Sequence, residues 1–66
     1  MKKETREMLR TGKMYFACYV NAKDMANTAK AQEYRELSKG YFDAACAMAS
    51  DADKAEVLFV RKKLNI

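Results

Sequence analysis

Between Thr28 and Ala49 the residues Tyr34, Leu37, Tyr41, Ala44 and Met48 recur at alternating steps of three and four positions. That period puts all five on one face of an α-helix, whereas a strand would scatter them over both of its faces. The chain contains no proline, and Gly40 is the only glycine inside the stretch, so a single long amphipathic helix is predicted there. An apolar face of that length has to lie against other elements, which makes the protein a helix packed on helices.

The opening segment supplies the first of those elements. From about Lys3 to Ala22, Met8, Gly12, Tyr15, Phe16, Tyr19 and Val20 return at three- and four-residue steps, while Lys2, Glu4, Arg6, Arg10 and Lys13 take the remaining face. A glycine inside a helix costs about 1 kcal/mol relative to Ala, so Gly12 points to another backbone passing close by or to a bend.

The join to the second helix is weakly marked, because Asn21 to Thr28 reads NAKDMANT and holds neither Gly nor Pro. Asp24 and Asn27 are candidate N-caps and Asn21 a candidate helix end, which puts the turn at about residues 23–27. Without that turn the first two helices fuse into one rod that only an oligomeric bundle would stabilise. Further on, Ser50 and Asp53 have the spacing of a capping box with Asp in the Glu position, and a third helix is predicted from about Asp53 to Leu64. Its centre, Val57-Leu58-Phe59-Val60, is rich in strand formers, so an edge strand competes there. The flanking Lys54, Ala55 and Glu56, and the cations Arg61, Lys62 and Lys63 at a helix C-terminus, favour helix. The predicted fold is an all-α, three-helix mini-domain over residues 1–66, built on a long antiparallel helical hairpin; the alternative is a fused long helix in an oligomeric bundle.

Met8, Gly12, Tyr15 and Phe16 have a spacing similar to that of the first helix of tetratricopeptide-type repeats. The second half of that repeat is not reproduced by Ala31, Tyr34 and Leu37, and a solenoid needs several copies, so no family assignment follows.

A chain of 66 residues has room for one domain with a small core, of the kind that supplies about 3–5 kcal/mol. Self-association, as a homodimer, is the expected reinforcement, since neither a disulfide framework nor a metal set can be read from the chain. Cys18 and Cys46 fall on different predicted helices and the sequence has no His, so Cys and His cannot assemble a tetrahedral zinc site. A disulfide needs Cα atoms within about 7 Å, and in an antiparallel hairpin Cys18 faces the region of Gln32 rather than Cys46. Two reduced cysteines fit a cytoplasmic protein. The opening MKKETREMLR is charged throughout, and the apolar run Met14 to Val20 is too short for a signal peptide or for the roughly 20 residues of a membrane span, so no membrane partner is expected.

Catalysis has the least support. Without His there is no ordinary proton shuttle near neutral pH, neither serine lies in a nucleophile elbow, and two isolated glycines cannot make a phosphate loop. Glu33, Glu36 and Asp43 could share a face, but the simpler reading pairs them with Lys30, Arg35 and Lys39 along the helix. No motif asks for a cofactor. The net charge of +4 keeps nucleic acid in view as a partner, with Lys23, Lys30, Arg61, Lys62 and Lys63 expected to gather where the third helix returns to the end of the first. Lys2, Lys3, Arg6, Arg10 and Lys13 form a second pole, and two separated poles weaken the signal. The seven aromatics are many for so small a core, and tyrosine and methionine are enriched at interface centres. The leading expectation is a non-enzymatic regulator or adaptor working through helix-mediated protein contact, with Tyr15, Tyr19, Tyr41 and Phe42 as anchors; a small basic nucleic-acid-binding protein is the alternative.

Overall fold

The computed structural model describes all residues 1–66 and contains three helices: α1 (Lys3–Asp24), α2 (Thr28–Met48) and α3 (Asp51–Leu64). α1 and α2 form a long antiparallel hairpin, and α3 returns along it. Residues 57–60 are helical, so the strand reading of that run is replaced by helix.

Two helices form instead of one rod because the chain reverses at Ala26, whose φ of 57° lies in the left-handed region. The Asn27 amide donates to the Ala22 carbonyl at 2.9 Å and the Ala26 amide to that of Lys23 at 3.0 Å, the paired bonds of a Schellman ending. Asn27 then caps α2, its side-chain oxygen accepting from the Lys30 amide at 3.2 Å. At the next junction the Ser50 hydroxyl accepts from the Asp53 amide at 3.3 Å, half of the expected capping box, and α3 starts two residues earlier than predicted. α3 ends on the same left-handed turn as α1, with Asn65 at φ 60° in the position that Ala26 takes above.

The face that α2 turns inward differs from the one its hydropathy pattern predicts. Its buried residues are Ala31, Ser38, Phe42 and Ala45, each one position on from a member of the Tyr34–Met48 stripe or in register with that shifted row. One position is a rotation of about 100° around a helix, enough to move the row from shoulder to seam. The reason lies in the partner surface, where α1 buries Thr5, Leu9, Gly12 and Ala22. Apart from Leu9 and Phe42 these side chains are small, so the helices approach closely and burial goes to residues with little hydropathy of their own.

At the centre of the seam the Ser38 hydroxyl donates to the Gly12 carbonyl across the hairpin at 2.7 Å. The Phe42 ring fills the space that a side chain at residue 12 would take, since a Cβ there would stand 2.9 Å from the ring. Gly12 therefore makes room for a ring, where the sequence pointed to a passing backbone or a bend. Leu9, Phe42, Ala45 and Val57 form the core, with Met8, Cys46, Val60 and Leu64 packed around it. Val57 is the only fully buried residue of α3.

Candidate interaction surfaces

Because α3 lies on the Leu9 and Phe16 side of the hairpin, the opposite side stays uncovered. There Tyr15 stacks between two residues of α2, its ring centroid 6.1 Å from Tyr34 and 5.5 Å from Tyr41, with interplanar angles of 26° and 20°. The three rings are half-buried. Tyr34 and Tyr41 stand seven residues apart, two turns along one helix face, which lets a single ring from α1 touch both. Leu37 and Met48 continue the row and are 38% and 40% exposed. The stripe predicted as the seam is thus a large apolar shoulder beside it, left open to solvent. Aromatic pairs at these separations contribute about 0.5–1.5 kcal/mol beyond their buried area, so the row is rigid as well as apolar.

The four expected anchors separate. Tyr15 and Tyr41 meet in this row, and Tyr34, which the hydropathy stripe assigns to the seam, completes it. Tyr19 sits on the other side, its ring 5.6 Å from Phe16 at 52° and under the Lys23 ammonium at 6.0 Å, a weak cation–π contact. Phe42 is a correction: it is fully buried between Gly12 and the rest of the core, so no partner can reach it. Adjacency in the sequence says only that Tyr41 and Phe42 do not both point at the seam, and the hydropathy stripe selects Tyr41 for it.

The expected basic cluster is also divided. Lys23 and Arg35 line a hollow with Leu64, Asn65 and Ile66, and Arg35 with Arg61 and Lys62 lines the next, so these four cations surround the C-terminal end of α3. Lys30 does not join them; it lies with Cys18, Met25 and Tyr34 on the uncovered side and pairs with Glu33 at 3.5 Å. Lys63 turns to α1, where it shares a groove with Lys13. Arg61 is largely buried and committed, donating to the Asp43 carboxylate at 2.6 Å and to the Ile66 carbonyl at 3.2 Å. Burial pulls its pKa down, but the Asp43 carboxylate and the Cys46 sulfur beside it together outweigh this and hold it above the ordinary value. Asp43 therefore ties α2 to α3 rather than pairing along its own helix.

Cys18 and Cys46 are both free thiols, and no three of the Cys, Asp and Glu side chains come together as a metal set. No helix is long and apolar enough to cross a membrane. No protein-family model, curated protein or solved structure matches the chain.

Proposed function

We propose that the protein is a small non-enzymatic regulator or adaptor that presents the uncovered face of its α1–α2 hairpin to a protein partner. One observation carries this reading: the stacked row Tyr34, Tyr15, Tyr41, extended by exposed Leu37 and Met48, is a helix-length apolar surface that the protein's own third helix does not cover. Rigid aromatic anchors lose little side-chain entropy on binding, and their hydroxyls suit a rim that is partly wet. The test is capture of partners on immobilised protein, comparing the wild type with Tyr34→Ala/Tyr41→Ala and with a Lys2→Ala/Lys3→Ala control. Loss of capture in the tyrosine variant alone, with helicity retained by circular dichroism, is expected; equal capture by all three would refute the assignment.

A second reading draws support from the gathering of Lys23, Arg35 and Lys62 around the end of α3, beside the Asp43-bound Arg61, which would serve a phosphate backbone. It calls for duplex DNA or single-stranded RNA binding that weakens steeply between about 50 and about 200 mM salt, read by fluorescence anisotropy. Absence of binding at the lower salt removes it.

A further inference from the structure

The outer side of α3 carries an unusual combination. Phe59 is 67% exposed, the only exposed ring among the seven aromatic residues. On the same stripe Glu56 stands three residues before it and Lys63 four residues after it. Neither charge has an ion-pair partner, and the positions three and four residues away from each hold Ala52, Asp53, Phe59, Val60 or Ile66, none of opposite charge. Between α3 and α1 runs a groove of about 370 Å³ lined by Phe16, Ala17, Val60 and Leu64, with Phe59 itself, Lys13 and Lys63 completing its lining and no carboxylate.

An acid, an aromatic and a base in that order along one helix are complementary to the same three residues read in reverse. Two copies of α3 laid antiparallel about a two-fold axis near Phe59 bring Glu56 of each opposite Lys63 of the other, and Phe59 of each opposite Val60 of the other. A two-fold interface requires this reciprocity, in which one residue meets a second and the second meets the first. Phe59 of each copy then enters the other's groove, and its Glu56 supplies the negative charge that Lys13 and Lys63 lack. We infer that α3 is the self-association face of the protein, and that a second copy of this chain is the occupant of the α1–α3 groove.

This pairing goes beyond the tyrosine-row reading and stands apart from it, since the two surfaces lie on opposite sides of the hairpin. It also accounts for the exposure of Phe59, which a second copy covers. A contact made chiefly by one helix pair falls at the small end of stable interfaces, so the dimer is expected to be reversible and concentration-dependent.

Sedimentation velocity over a concentration series tests it on the full chain, using Glu56→Lys, Lys63→Glu, the double reversal and Phe59→Asp, each checked for helicity. The wild type should dimerise, and Phe59→Asp should be monomeric. Each single reversal should raise the dissociation constant by about tenfold or more, because like charges then face each other at both symmetry-related sites. The double reversal should restore wild-type pairing, a rescue that a merely structural role for either residue does not produce. A wild type monomeric throughout, single reversals without effect, or a double variant as weak as the singles would overturn the inference. So would a dimer lost in Tyr34→Ala/Tyr41→Ala but intact in every α3 variant, which would move self-association to the tyrosine row.

Discussion

The α1–α2 hairpin and α3 are held by different means. The hairpin is a seam of small residues, in which Gly12, Ala22, Ala31, Ser38 and Ala45 let two long helices close on Leu9 and Phe42. α3 buries Val57 alone and is otherwise held by the Ser50 cap, the Arg61–Asp43 pair, the Met1 amino group 3.8 Å from Asp53, and half-buried Val60 and Leu64. A seam of small side chains derives its stability from close packing along its whole length, whereas a helix held by one buried valine and a half-exposed ion pair can detach without the rest unfolding. With its Asp43 side open to water, that pair contributes at most about 1 kcal/mol. The two proposed surfaces follow this division: the tight element carries the stacked aromatic row, and the loose one carries an exposed ring and two unpaired charges.

The sharpest break of the hairpin is Phe42→Ala. Removing a fully buried phenylalanine costs about 3–5 kcal/mol, which is comparable to the whole stability of a core this small, so the variant should show no cooperative thermal transition. A cooperative transition near the wild-type temperature would mean that the ring is not at the centre of the core. Gly12→Val comes next, since its Cβ would meet the Phe42 ring at 2.9 Å; a loss of about 2–3 kcal/mol is expected in urea denaturation. Val57→Ala tests the other region. It should cost about 1.5–2.5 kcal/mol, with the loss appearing as exchange of α3 amides while those of α1 and α2 stay protected. The smallest effect has the opposite sign: a Cβ at Gly40 would meet nothing within 4 Å, so Gly40→Ala should stabilise by about 0.5–1 kcal/mol, read as a raised urea midpoint.

These two glycines also mark how far the sequence can be read. The helical period, the Asn27 and Ser50 caps and the three-helix order are all local, and each is visible in residue spacing. The rotation of α2 is not local, because Ala31, Ser38 and Ala45 bury themselves only in relation to Gly12 and its neighbours on another helix. A hydropathy stripe finds the largest apolar residues, and here those form the open shoulder. Flanking caps locate the turn at Ala26, although the left-handed residue itself is an alanine where Gly or Asn is usual, so nothing in its identity announces it. Of the proposed surface, Tyr15 and Tyr41 are legible as too many rings for one core, while the stripe puts Tyr34 in the seam. The basic group fails at Lys30, which lies across the chain reversal from Lys23, so that the two side chains leave the hairpin on different sides.

Amide hydrogen exchange of the full chain at several protein concentrations, resolved by residue, tests the division between the two regions most directly. Strong and concentration-independent protection is expected along the Gly12 and Ser38 seam, with weaker protection in α3 that rises as the protein is concentrated and α3 faces pair. Protection of α3 equal to that of the seam and unchanged by concentration would contradict the division.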